Sequence, residues 1–229
     1  MQLDLVALLE LGGPVAWILI VLSVVALAMS LYKTVQFAVG RVGRHKAALI
    51  AMNKWFDGER DEAYELIMNN RAPLSKVLAH AMRGLTHGGG NLDAIKEDTD
   101  RVALEELREL RKYIRGIELI SQTAPLIGLF GTVYGMIKAF SQLEASGAAV
   151  NPAALAGGIW IALVATALGL AVAIVFSPVV AWLESRVESE RSVIETSMTG
   201  FFAHRITEGQ ARDFGDVTVV PRGRIYNAT

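Results

Sequence analysis

The sequence predicts an all-α integral membrane protein with three transmembrane helices, long cytoplasmic helical extensions and its N-terminus on the periplasmic side. Three observations predict it. The 22 basic and 23 acidic residues of the 229 avoid three long windows. Each window is long enough for a helix to cross hydrocarbon, which takes about 20 apolar residues. The basic residues gather on one side of these windows, and that asymmetry orients membrane proteins. Average composition hides all of this, because 52% hydrophobic and 20% charged residues lie close to the values of soluble domains.

Residues 1–10 form a short periplasmic N-terminus, followed by transmembrane helix 1 over 11–35. From Leu11 to Tyr32 there are 22 residues without a charge, roughly 33 Å of helix at about 1.5 Å per residue. A cleaved signal peptide fits poorly, because Asp4 and Glu10 stand where a basic n-region would be and no Lys or Arg precedes Lys33. The second window, Leu119 to Ile137, has 19 uncharged residues and sets transmembrane helix 2 at 117–140. The third, Ala145 to Leu183, has 39, too many for one crossing. It divides into a periplasmic loop at 141–152 and transmembrane helix 3 at 153–183. Fourteen Lys/Arg lie between Gln36 and Arg115 and six after Leu183, with none before the first span. The middle segment and the tail are therefore expected in the cytoplasm.

The cytoplasmic domain, 36–116, reads as helices at Lys46–Phe56 and Arg60–Asn70 separated by Asp57-Gly58. Another starts at Pro73, and the run Thr86 to Asn91, with Gly88-Gly89-Gly90, breaks the chain as a hinge. No Gly-Lys-Ser/Thr follows these glycines, so a phosphate loop is not expected. Beyond them Val102, Leu104, Leu107, Leu110, Ile114 and Ile117 recur at helical steps, which predicts one continuous rod into the second span. Leu183, Val187, Ile194, Met198 and Phe201 carry the third span on as a cytoplasmic helix, 184–208, ahead of a flexible tail at 209–229.

Several functions are excluded at this level. The chain has no Cys, and its four His are scattered, which argues against thiolate or histidine metal sites. A net charge of −1 gives no footprint for nucleic acid. No nucleophile, base and orienting group can be assembled from the motifs, so no enzyme and no cofactor is expected.

The polar residues of the membrane form narrow faces. On the second span Pro125, Gly128, Thr132 and Gly135 recur at steps of three and four, with Gly131 making a Gly-x-x-x-Gly pair with Gly135. On the third, Ala162, Thr166, Gly169, Ala173 and Ser177 do the same, ahead of Pro178. Two readings stay open. Small residues let helices approach closely, the plainer account, or the faces line a lumen where Thr132 and Thr166 meet water or a polar partner. A proton path needs a titratable relay, yet from Leu119 to Leu183 the only Asp, Glu or His is Glu144 in the external loop. Any proton carrier must then come from another chain. Glu118, with Thr123 nearby, is the candidate for a cytoplasmic exit, and its plainer reading is a boundary residue beside Arg115.

The strings Thr123-Ala124-Pro125-x-x-Gly128-Leu129-Phe130-Gly131-Thr132-Val133-x-Gly135 and Ala162-Leu163-Val164-Ala165-Thr166-Ala167-Leu168-Gly169-Leu170 resemble the paired span motifs of the MotA/TolQ/ExbB proton-channel family. The opening Gly12-Gly13-Pro14-Val15-x-Trp17 is similar to short ExbB-type members. The resemblance covers roughly residues 11 to 205. It implies a homopentamer in a bacterial inner membrane, with spans two and three around a lumen. That lumen would hold the transmembrane helices of an ExbD/TolR-like partner whose Asp carries the proton. Thr132 and Thr166 would be the hydroxyls near that Asp, and the work would pass to a TonB-like or TolA-like protein. Each elementary charge crossing 100 mV releases about 2.3 kcal/mol for this.

One position departs from the pattern. ExbB and TolQ members commonly carry Glu in a string like Gly-Ile-Ala-Glu-Ala-Leu. Here the string is Gly158-Ile159-Trp160-Ile161-Ala162-Leu163, so Ile161 stands in its place, which points towards MotA-like flagellar stator subunits. A non-conducting membrane scaffold is the alternative from another class.

Overall fold

The computed structural model describes residues 13–87, 91–145 and 152–213. The expected N-terminal segment, the Gly88–Gly90 hinge, residues 146–151 of the external loop and the end of the tail lie outside the described residues. Every described element is a helix: α1 (Gly13–Val39), α2 (Lys46–Phe56), α3 (Arg60–Met68), α4 (Pro73–His87), α5 (Leu92–Arg111), α6 (Ile114–Ala145) and α7 (Pro152–Asp213). Three of the helical stretches are long and apolar enough to cross a membrane. Within each apolar window only 28% of the residues are buried, which leaves most of each surface for lipid or neighbouring copies.

α6 and α7 pack along each other, and α1 lies against both. α7 is 62 residues long, roughly 93 Å at about 1.5 Å per residue, so it spans the apolar zone and continues far outside it. The stripe Leu183, Val187, Ile194, Met198 and Phe201 is buried throughout. It forms the floor on which α2, α4 and α5 sit. At its far end Phe201 is the shared member of an aromatic cluster, with ring centroids 6.1 Å from Trp55, 5.7 Å from Phe56 and 5.6 Å from Phe202. Leu74, Leu78, Met82 and Ile67 close the layer from α3 and α4. The helix runs to Asp213, past Gly209 where the polar composition predicts a loose end.

The rod into the second span runs as a helical stretch from Leu92 to Glu144, with its hydrogen bonding interrupted at one point. The helix stops at Arg111 and restarts at Ile114, with Tyr113 at φ 69° in the left-handed region. No glycine or proline marks the place. The break is held from another helix: the Lys33 amine of α1 donates to the Glu109 carbonyl at 2.9 Å and to Gln36 Oε1 at 2.7 Å. A helix end leaves its last carbonyls without intrahelical donors, and a cation there also meets the negative end of the dipole.

The stripe on α7 holds one residue that the apolar pattern passes over. Glu190 is 1% exposed. Its Oε2 accepts the Gly43 backbone N–H at 2.8 Å and lies 2.9 Å from His45 Nε2, tying the α1–α2 loop to α7. That loop needs the tie, since Arg41 (φ 52°) and Gly43 (φ 84°) both take left-handed backbone.

Candidate site in the membrane-spanning helices

Close approaches along α6 and α7 define the register. A Cβ added at Gly128 would lie 3.4 Å from Gly169 Cα, one at Gly131 2.7 Å from Ala165 Cβ, one at Gly135 2.9 Å from Ala162 Cβ, and one at Gly158 2.6 Å from Ala139 Cβ. Residue numbers rise on one helix as they fall on the other, so the helices are antiparallel. At Gly169 an added Cβ would be 2.5 Å from the Ala124 carbonyl oxygen. The two backbones touch there, as small residues in membrane interfaces permit.

The buried line on α6 is Ile117, Ser121, Ala124, Gly128, Gly131 and Ala139, and on α7 it is Ala162, Ala165, Gly169, Val172 and Phe176. The small-residue faces read from sequence overlap these lines without coinciding with them. Gly128, Gly131, Gly135, Ala162 and Gly169 lie in the seam. Pro125, Thr132, Thr166 and Ala173 are half-buried and Ser177 is exposed. Each of these five sits one position along from a seam residue, a rotation of about 100°. On antiparallel helices the same rotation sense carries both flanks to the same side of the seam. Pro125 and Thr132 of α6 therefore share a side with Thr166, Ala173 and Ser177 of α7.

The two threonine hydroxyls on that side are already engaged. Thr132 Oγ1 donates to the Leu129 carbonyl in its own helix at 2.7 Å, while Thr166 Oγ1 crosses the seam to the Gly128 carbonyl at 3.1 Å. The structure thus brings Thr166 to Gly128, and Thr132 opens on a shallow groove of about 580 Å³ with Met136, Phe140 and Glu144. It does not bring Thr123 to Glu118. Thr123 donates to the Leu119 carbonyl, Glu118 accepts from Gln122, and five residues place the two about 140° apart on the helix. Glu118 instead borders a groove of about 890 Å³ with Arg108, Arg111, Arg115 and Glu184.

Ile161 is on the opposite flank from Thr166. It lines a cavity of about 390 Å³ between α1, α6 and α7, with Val15, Gly131, Tyr134, Lys138 and Gln142. Among the described residues no cluster of three metal-ligating side chains occurs. Sequence reasoning missed Lys33 and Glu190. Lys33 looks like an ordinary boundary lysine, and the only signal for Glu190 was its place, at helical spacing between Val187 and Ile194.

Three apolar helices, a glycine seam and a flank of hydroxylated residues define a multi-pass helical membrane protein with no acidic group of its own at the seam. Residues 69–196 match the MotA/TolQ/ExbB proton channel family. The chain is 32% identical over 177 residues to the biopolymer transport protein ExbB of Xanthomonas campestris, covering 70% of this chain and 69% of the relative. It is 32% identical over 180 residues to ExbB of Neisseria gonorrhoeae, covering 73% and 74%. A putative biopolymer transport protein ExbB homolog of Methanothermobacter thermautotrophicus is 34% identical over 157 residues, or 66% of this chain. The chain spans about half, 54%, of that relative's length. The chain belongs to the MotA/TolQ/ExbB family.

Proposed function

We propose that this chain is the membrane subunit of a proton-driven motor of the ExbB/TolQ type in a bacterial inner membrane. In this reading the N-terminus is periplasmic, and α2 to α5 and the far part of α7 are cytoplasmic, as the basic residues require. Copies assemble as a pentamer around a lumen lined by the flank that carries Thr132 and Thr166. The lumen holds an ExbD/TolR-like single-span partner whose Asp carries the proton, and proton flow moves the pentamer about the partner. The work passes to a TonB-like or TolA-like protein, for import or envelope maintenance.

The observation that carries the reading is the shared flank. Threonine, proline and small residues of both helices face one way beside a seam that supplies no Asp, Glu or His. Such a surface can slide against a partner helix and hydrate a proton without trapping it. Ile161 favours a second reading, a MotA-like stator subunit, because it removes the carboxylate common in ExbB and TolQ.

The test is proton flux into vesicles holding this chain with its cognate partner, before and after replacing the partner's membrane Asp. Flux that survives the replacement overturns the mechanism. Thr132→Val with Thr166→Val is expected to reduce coupled flux at least tenfold while the oligomer stays intact by native mass spectrometry. Unchanged coupling would leave those residues a packing role only. Function that persists after the proton gradient is collapsed would support the non-conducting scaffold.

A further inference from the structure

We infer that the cavity between α1, α6 and α7 binds an anionic phospholipid of the leaflet at the Ala145 end of α6, with an acyl chain between the helices and the phosphate on Lys138. The lining has the polarity of such a molecule. Its deep end, at Val15, Gly131 and Ala165, is apolar. Lys138 and Gln142 line it further along α6, roughly 10–16 Å beyond Gly131 at about 1.5 Å per residue. With Tyr134 they recur at steps of four, so the polar groups keep to one line on the helix. Gly157 of α7 leaves room at the opposite wall, since a Cβ added there would meet nothing within 4 Å. The volume of about 390 Å³ is within the roughly 300–1,000 Å³ of small-ligand sites.

The charge of Lys138 selects the occupant. It is the only Lys or Arg between Arg115 and Arg186, and it follows directly on the charge-free window that ends at Ile137. A cation at that depth needs a counter-charge, and its flexible stem carries the amine to headgroup level. Lys138 is exposed, and no carboxylate of the described residues pairs with it. Glu144, on the same helix, borders the Thr132 groove and not this cavity. The anion that a bilayer supplies at this level is a lipid phosphate. Phosphatidylglycerol brings a phosphate and no cation, whereas the ammonium of phosphatidylethanolamine competes with Lys138 for its own phosphate. Charge complementarity therefore favours the anionic lipid. The cavity lies on the flank opposite Thr166, away from the surface that the motor reading gives to a partner. The site needs only that the three helices cross a bilayer, and it owes nothing to proton flow.

Native mass spectrometry of the full, delipidated chain in detergent tests this, by titration with phosphatidylglycerol or phosphatidylethanolamine of equal acyl length. Wild type is expected to take one phosphatidylglycerol per chain in preference to phosphatidylethanolamine. Lys138→Met should weaken phosphatidylglycerol binding about tenfold, as for loss of a charge-assisted hydrogen bond, and should erase the preference. Lys138→Arg should keep both. Gly157→Leu puts a side chain into the cavity and leaves Lys138 in place, and it should weaken both lipids by a similar factor. A headgroup merely adsorbed at the lysine would respond to Lys138→Met and not to Gly157→Leu, so unchanged binding in Gly157→Leu overturns the inference. Equal affinity of wild type for the two lipids does the same. If Asp4 or Glu10 is instead the partner of Lys138, Asp4→Asn with Glu10→Gln would create a phosphatidylglycerol preference that wild type lacks, which also overturns it.

Discussion

In the middle of the α6–α7 seam, between Ala124 and Ala139 on α6 and Gly158 and Gly169 on α7, the residues that meet are mainly glycine and alanine, and backbone touches backbone at Gly169. Around the last turns of α7 they are Trp55, Phe56, Phe201, Met198 and Leu78, large side chains filling space between short helices. The difference follows from the solvent. In water, burying a large apolar side chain stabilises by about 1.5–3 kcal/mol, so the outer layer gains from size. In lipid no such gain exists between helices, and close van der Waals approach holds them together. Polar groups divide the same way. Across the seam Thr166 donates to the Gly128 carbonyl. The outer layer has Glu190, His45 and several ion pairs among the described residues.

The two regions should therefore fail in opposite ways, one on loss of volume and the other on gain. Phe201→Ala is expected to have the largest effect, destabilising by about 3–5 kcal/mol, because three aromatic rings pack against a fully buried one. Thermal unfolding of the purified chain in detergent measures it. A change within error would mean that the outer layer is not a cooperative part of the fold.

Gly169→Ala is next, at about 1–3 kcal/mol, and it adds one methyl where Phe201→Ala removes a ring. The added carbon would lie 2.5 Å from a backbone carbonyl oxygen, so a whole helix must shift. Gly157→Ala is the matched control on the same helix, with nothing within 4 Å of the added carbon. It should be neutral or slightly stabilising, since alanine favours a helix over glycine by about 1 kcal/mol. Equal effects at the two positions would show that α6 and α7 do not cross at Gly169.

The two regions were also unequally legible in the sequence. The spans and the α7 stripe could be read because charge exclusion and apolar period are properties of the local chain. Leu183, Val187, Ile194, Met198 and Phe201 are buried as their spacing requires. In the seam the period gives the right helices and a face turned by one residue. Glycine, alanine and threonine surround each span closely enough that the seam and its flank look alike until the partner helix is placed. Thr132 and Gly131 differ by one position, and only the approach of Ala165 assigns Gly131 to the seam. The Tyr113 break and the burial of Lys33 and Glu190 were not legible at all. Each depends on a contact between residues 76 to 147 positions apart, and no local propensity encodes such contacts.

The smallest effect should come from charge at the surface of the outer layer, where water competes for every contact. His80 Nε2 of α4 lies 2.7 Å from Asp98 Oδ2 of α5, and Arg101 donates to Asp98 Oδ1 at 2.9 and 3.0 Å. The hydrogen bond with His80 first, and those from Arg101 second, hold the Asp98 carboxyl below the usual aspartate range. A carboxylate depressed by folding stabilises above its unfolded value, and that stabilisation is lost as pH falls through the folded one. The melting temperature of wild type should therefore exceed that of Asp98→Asn near neutral pH, and the two curves should merge in acid. Salt should narrow the gap, because both partners are exposed and screened. Curves that coincide at every pH would mean the α4–α5 contact is apolar only. A gap that widened in acid would reverse the sign and contradict the depressed carboxyl.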